Sequence, residues 1–139
     1  MRLLILISIL FCFSNAFASP LFRCLKSAGK GKPIRLQFTF PADDSSSPAQ
    51  VLYEKGSAPI SLKKTQDHAK PNRDRPSEVQ MEWIELPESP SSGKYLLTTQ
   101  GALILSFKYV SAKNAKTFTF KDDPDSVDGD SCSWNSKKH

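Results

Sequence analysis

Apolar and polar residues alternate through most of the chain, and this pattern limits the fold more than any other feature of the sequence. In the clearest stretch, Ile34, Leu36, Phe38 and Phe40 are separated by polar residues. A repeat of two residues is the period of a β-strand that buries one face and exposes the other. Further stretches with this repeat lie at 51–53, 60–62, 79–86, 94–99, 103–109 and 117–121. Convincing helical periodicity is lacking, so the sequence predicts an all-β protein.

The predicted strands number about seven or eight and are joined mostly by short turns, which is typical of a small antiparallel β-barrel or sandwich. Closure into a barrel would remove exposed strand edges. The polar segment 63–77 contains two prolines and no large apolar residue, so we predict a long loop there. The predicted inward set is Leu36, Phe38, Phe40, Val51, Tyr53, Ile60, Trp83, Leu97, Leu103, Leu105, Phe107, Phe118 and Phe120.

The first eighteen residues have the pattern of a signal peptide. A positive start is followed by the apolar run 3–13, and Ala16-Phe17-Ala18 supplies the small residues that signal peptidase accepts. The run is too short to span a bilayer, and we expect no transmembrane segment. The predicted product is a single domain, 19–139, in the bacterial periplasm or secreted. Cleavage of the signal peptide would remove Arg2 and so lower the net charge from +5 to +4.

Three cysteines are present in the 139 residues, and cleavage after Ala18 would remove Cys12. Cys24 and Cys132 would remain, near opposite ends of the domain and in an oxidising compartment. The simplest interpretation is one disulfide, which stabilises the fold by ~4–5 kcal/mol in the chain-entropy model. The alternatives are two free thiols, a metal pair or intermolecular bonds.

Residues for catalysis are scarce. The two histidines are His68, in the polar segment, and His139, at the end of the chain, and neither position is rigid. Hydrolase, phosphate-binding and dinucleotide-binding motifs are missing from the sequence. The acidic run 122–130 does not have EF-hand spacing, and a solvated turn is the simpler interpretation than a Ca²⁺ site. We therefore predict no enzymatic activity, no catalytic residues, no metal and no cofactor.

The polar segment also carries a group of basic residues that form an alternative binding surface: Lys63, Lys64, Lys70, Arg73 and Arg75. These cations suit an acidic protein or a polyanionic surface. Aromatic residues do not interleave with them, and we expect no nucleic-acid partner.

A family resemblance rests on two cysteines and one short run of residues: Cys24, Cys132 and Ser91-Ser92-Gly93-Lys94-Tyr95. In these features it resembles the exported inhibitors of C-type lysozyme, membrane-bound and periplasmic, which are small antiparallel β-barrels with a Ser-Gly-x-x-Tyr-like loop. The resemblance implies that a loop serine and a lysine reach the carboxylates of the lysozyme cleft. Carried over, Ser92 would hydrogen-bond to a carboxylate, Lys94 would pair with one, and Tyr95 would belong to the same partner-binding motif.

These observations lead to one expectation and one alternative. The expectation is an exported, monomeric, non-enzymatic binding protein, in its sharpest form an inhibitor of C-type lysozyme. The alternative is an immunity protein against a toxin, or a cell-envelope binding module, that recognises an acidic protein or polyanion through the basic residues of 63–75.

Overall fold

Eight antiparallel strands, each paired with the next one along the chain, close into a barrel through pairing of the first strand with the eighth. The structure is a computed structural model that describes residues 21–41 and 48–134. The predicted signal peptide, 1–18, lies outside the described residues. The barrel strands are β1 (Phe22–Ser27), β2 (Arg35–Thr39), β3 (Ala49–Tyr53), β4 (Ile60–Lys70), β5 (Glu78–Glu85), β6 (Lys94–Gln100), β7 (Leu103–Val110) and β8 (Thr117–Asp122).

The predicted all-β architecture is confirmed, and the strands form a barrel and not a sandwich. Because neighbours in sequence are neighbours in the sheet, the connections divide between the two ends of the barrel. Four turns, at 28–34, 54–59, 86–93 and 111–116, lie together at what we call the four-turn end. The opposite, hairpin end carries the tip of the β4–β5 hairpin at 71–77 and the β6–β7 turn at 101–102.

Large side chains fill the interior of the barrel. The ring of Phe38 packs edge-on against Phe107, with ring centroids 5.4 Å apart, and against Trp83 at 6.0 Å. Phe107 in turn packs edge-on against Phe120. Offset and edge-to-face arrangements of this kind add to the stabilisation that burial of the rings provides. The buried core consists of Leu25, Leu36, Phe38, Ala49, Val51, Leu62, Trp83, Tyr95, Leu97, Phe107 and Phe120.

The prediction of a loop over 63–77 is wrong for most of its length. Residues up to Lys70 continue β4, and pair with β5 from Gln66↔Glu82 to Lys70↔Glu78. Side chains at 65–70 are exposed on both faces of the hairpin, so the apolar alternation that marks a strand is missing there. Backbone pairing to β5, which is itself paired to β6, holds this part of the strand in place.

The prediction that Leu103 and Leu105 face the interior is also wrong, since these side chains are 65% and 50% exposed. The register between β6 and β7 changes from Thr98↔Ser106 to Thr99↔Ile104, which leaves Leu105 as an extra residue on β7. A bulge of this kind reverses the faces of the residues before it. Ile104 consequently packs against the core instead.

The segment after β8 folds back along the outer wall of β1 and β2. It contains a short 3-10 helix (Pro124–Ser126) and two short paired strands, β9 (Val127–Asp128) and β10 (Ser131–Cys132). The predicted disulfide between Cys24 and Cys132 is confirmed, and the two residues are 108 positions apart. The backbone N–H of Cys132 also donates to the side-chain oxygen of Gln37 at 2.8 Å.

An ion-pair cluster fixes the start of this outer segment. Asp123 is almost fully buried and accepts hydrogen bonds from Lys26 and Ser126, both at 2.7 Å, with Arg35 3.8 Å away. Burial opposes ionisation of Asp123, but the hydrogen bonds from Lys26 and Ser126 and the nearby cationic charges outweigh it and lower the pKa of this carboxyl.

Among the described residues, no helix is long and apolar enough to cross a membrane.

Candidate functional site

The loop that carries the predicted serine site lies at the four-turn end, between β5 and β6. Ser92 is only 8% exposed. Its hydroxyl donates to the carbonyl oxygen of Pro87 at 3.1 Å and accepts from the backbone N–H of Ser89 at 2.9 Å. Both bonds close the loop on itself, so the hydroxyl of Ser92 is occupied within the protein. The exposed hydroxyls of this loop belong to Ser89 and Ser91.

Tyr95, the last residue of the predicted motif, is fully buried in the barrel. Its hydroxyl donates to one carboxylate oxygen of Glu85 at 3.1 Å, and the hydroxyl of Tyr53 lies 2.8 Å away. The second carboxylate oxygen of Glu85 accepts from the backbone N–H of Gly93 at 2.9 Å. The tyrosine pair and the carboxylate therefore tie the base of the 86–93 loop to the interior. Tyr95 positions the loop and presents no surface to a partner.

Burial also changes the acidity of the tyrosines at this end of the barrel. It raises the pKa of Tyr53 to about 12, with further contributions from the charges of Tyr109 and Glu85 against the opposing hydrogen bond from Tyr95. Burial, followed by the neighbouring Tyr53 and Glu85, raises the pKa of Tyr95 as well. The pKa of Tyr109 is raised for the same two reasons, burial first and the charge of Glu85 second. All three phenols are therefore neutral hydrogen-bonding groups near pH 7.

Lys94 projects from the outer face of β6 beside the same loop. Its ammonium donates to a carboxylate oxygen of Glu82 at 3.0 Å, and Thr65 donates to the same oxygen at 3.0 Å. The hydrogen bond from Lys94 is the main reason that the pKa of Glu82 is lowered. Half of the Lys94 side chain is nevertheless exposed, so its ammonium can meet a second carboxylate from solvent.

The five basic residues of the alternative surface do not lie together. Lys63 pairs with Glu88 of the 86–93 loop at 3.6 Å, and thus belongs to the four-turn end. Lys64 pairs with Asp67 at 2.9 Å and lies over the ring of Trp83. The other three extend to the hairpin end, exposed and without an ion pair among the described residues: Lys70, Arg73 and Arg75.

The four turns of the four-turn end carry a basic surface that sequence reasoning missed. Five exposed lysines stand in these turns against two glutamates, Glu54 and Glu88. None of the five is in an ion pair within the described part of the chain. The signal in the sequence was the presence of lysine in three turns, 28–34, 54–59 and 111–116, which matters only once the strand order shows that these turns share one end of the barrel. The five residues are Lys30, Lys32, Lys55, Lys113 and Lys116.

A small cavity of about 220 Å³ opens at the same end, between the turns 28–34 and 54–59. Its walls include Pro33, Ile34 and Tyr53, and its rim includes Lys32 and Lys55. Ile34 is 42% exposed, and it is one of several exposed large apolar residues in the described part of the chain.

Metal ligands are not assembled in the described residues, where no group of three His, Cys, Asp or Glu side chains is arranged to hold an ion. His68 lies on the exposed outer half of β4. Within the acidic run 122–130, Asp123 is committed to Lys26, while Asp125, Asp128 and Asp130 point to solvent.

Models of protein families, curated proteins and solved structures were compared with the chain, and none of the three comparisons found a match.

Proposed function

We propose that the chain is an exported, non-enzymatic binding protein that recognises an acidic partner through the four-turn end of its barrel. The observation that carries this proposal is the concentration of five exposed lysines, without ion-pair partners in the described residues, in three of the four turns of that end. Unpaired surface cations attract an oppositely charged surface and raise the rate of encounter. The strands behind them are fixed by a filled interior, so the turns are held in a constant arrangement.

The test uses a simple carboxylate polymer, poly-L-aspartate, as the probe. A Lys32→Glu/Lys55→Glu variant should bind it at least about tenfold more weakly than the wild type, and added salt should weaken the wild-type complex. The matched control is Lys108→Glu/Lys121→Glu, which reverses two exposed lysines on the barrel wall. Equal weakening by both variants would mean that net charge, rather than the four-turn end, controls binding.

Export is tested by the mature N-terminus. Mass spectrometry of protein from the periplasm or medium should find a chain that begins at Ser19. A chain retained in the cytoplasm with residues 1–18 attached would contradict this part of the proposal.

The family resemblance gives the proposal a narrower form, inhibition of a C-type lysozyme, in which the carboxylates of the cleft, and not the net charge of the partner, are the acidic groups that are recognised. In support, the chain resembles that inhibitor family, and Lys94 and the 86–93 loop lie at the four-turn end with the unpaired lysines. Lys94 would reach the cleft carboxylates by exchanging Glu82 for a partner carboxylate, and the exposed Ser91 is better placed than Ser92 to donate a hydrogen bond.

A lysozyme activity assay with added protein measures this directly. Lys94→Ala should weaken inhibition by about tenfold or more, because a charge-assisted bond in a desolvated cleft is lost. Lys121→Ala, on the barrel wall, should leave inhibition unchanged. Absence of inhibition at micromolar excess of the wild type would end this form of the proposal without touching the binding of other acidic partners.

A second candidate function is binding of a polyanionic envelope surface by the hairpin end. It is favoured by the exposed tip that carries Lys70, Arg73 and Arg75 without ion-pair partners among the described residues. Arg73→Ala/Arg75→Ala should reduce co-sedimentation with vesicles of anionic lipid, since each cation near such a surface contributes about 1 kcal/mol. Undiminished sedimentation of this variant would exclude the hairpin end as the contact.

A further inference from the structure

The cavity at the four-turn end has the composition of a pocket for one side chain of a protein partner. Its volume of about 220 Å³ is below the range of roughly 300–1,000 Å³ that is typical of small-molecule and cofactor sites. The apolar part of its wall is formed by Pro33, Ile34 and the ring of Tyr53. A single apolar side chain is the occupant that this size and this wall fit.

The walls are held in place from both sides. The hydroxyl of Tyr53 is anchored to Tyr95 inside the barrel. The backbone N–H of Ile34 donates to the hydroxyl of Ser27 at 2.9 Å, and that of Glu54 donates to the carbonyl oxygen of Arg35 at 2.9 Å. A preformed pocket does not have to be ordered when its ligand binds, so less of the interaction energy is lost.

The rim determines the charge of the segment that carries this side chain. Arg35 is committed to Glu54 and Asp123, which leaves Lys32 and Lys55 as the rim cations without ion-pair partners in the described part of the chain. A carboxylate next to the inserted side chain would meet these ammoniums. Binding hot spots commonly combine a buried apolar anchor with surrounding polar contacts that exclude water.

We propose that this cavity receives an apolar side chain of an acidic protein segment, with flanking carboxylates paired to Lys32 and Lys55. The inference rests on the proposed function, which needs only an acidic partner, and adds the requirement for an apolar anchor.

Two peptides separate the added requirement from the proposed function. The first is acetyl-Asp-Asp-Phe-Asp-Asp-amide and the second has alanine in place of phenylalanine; both are titrated against the isotope-labelled protein by NMR. The phenylalanine peptide should bind about tenfold more tightly, the effect of burying one large apolar side chain in part. The largest shift changes should fall in 32–35 and 53–55.

Variants locate the contact. Ile34→Ser should remove the advantage of the phenylalanine peptide. Leu103→Ser, which changes a more exposed apolar residue at the hairpin end, should leave that advantage in place. Lys55→Glu should weaken the binding of both peptides. This variant tests the charged rim of the cavity if Ile34→Ser alters the fold. Equal binding of the two peptides, or shift changes away from the cavity, would overturn this inference and leave the proposed function standing. Failure of both peptides to bind would overturn this inference and the proposed function together.

Discussion

The two ends of the barrel differ in what supports them. At the four-turn end, the 86–93 loop is tied to the interior through Glu85, Tyr95 and Tyr53, so its exposed residues rest on buried ones. At the hairpin end, the outer half of β4 has both faces in water, and backbone pairing to β5 is its main support. The 86–93 loop therefore has a fixed geometry suited to selective recognition, whereas the tip of the hairpin can follow the shape of a less regular partner.

The largest expected contrast comes from glycine-to-alanine substitutions at the two ends. A Cβ on Gly93 would stand 2.3 Å from the ring of Tyr109, which is itself packed against Tyr95. Gly93→Ala should lower the free energy of unfolding by ~2–3 kcal/mol, because the ring stack must move. Gly101→Ala, at the β6–β7 turn with a φ of +57°, should cost only about 1 kcal/mol of backbone strain.

Urea unfolding of the two glycine variants measures this contrast. If Gly101→Ala proved the more damaging of the two, the four-turn end would not be the more tightly supported one.

Titration of the tyrosines probes the interior support of the four-turn end. The chain has three tyrosines, and the pKa of each is raised by burial, that of Tyr53 to about 12. Ultraviolet absorbance of the folded protein should therefore show less tyrosinate at pH 10–11 than that of the protein in denaturant, in which tyrosine titrates near 10.

A raised phenol pKa means that the folded state holds its protons longer than the unfolded state, so stability is full below about pH 10 and falls as pH rises beyond it. Tyr95→Phe should remove part of this fall. A tyrosine that titrates at its ordinary value in the folded protein would contradict the buried network.

Hydrogen exchange should distinguish the two parts of the β4–β5 hairpin. Amides that pair 66–70 with 78–82 should exchange at least about tenfold faster than amides of Leu97 and Phe107, because the side chains of 66–70 are exposed and oppose local opening little. Equal protection along the whole hairpin would show that an unrecognised contact supports the hairpin end.

The smallest expected effect is on stability in Lys94→Ala. Its ion pair with Glu82 is partly exposed and should contribute no more than about 0.5–1 kcal/mol to the free energy of unfolding. The lowered pKa of Glu82 stabilises the fold above the ordinary glutamate pKa, so the difference between variant and wild type should vanish in acid. Thermal unfolding of the variant and the wild type at pH 7 and pH 3 measures this difference. A large loss of stability in the variant at pH 7 would make Lys94 a structural residue.

The sequence alone predicted the parts of the fold in which burial leaves a repeat of two residues. Strands β2, β5 and β6 were found in this way over almost their whole lengths, and the disulfide followed from two cysteines in a chain with a predicted leader. The outer half of β4 was missed because water on both faces erases the repeat. Leu103 and Leu105 were placed inside because a bulge changes the face of a strand without leaving a sign in the sequence.

The candidate site was predictable only in part. The segment 91–95 was singled out by its residue types, but these cannot tell that Ser92 and Tyr95 are held inside by Pro87 and Glu85. The lysines of the four-turn end are scattered between Lys30 and Lys116, and barrel closure is what brings them together.

The disulfide between Cys24 and Cys132 also limits the stage at which folding can be completed. One of its sulfurs belongs to the strand that opens the barrel, the other to the segment that covers the wall after the barrel has closed. Because the two cysteines are 108 positions apart, the bond cannot form before β8 and the segment that follows it have been synthesised. Oxidation therefore acts as a completion step, which locks the barrel only after all eight strands are present in the chain.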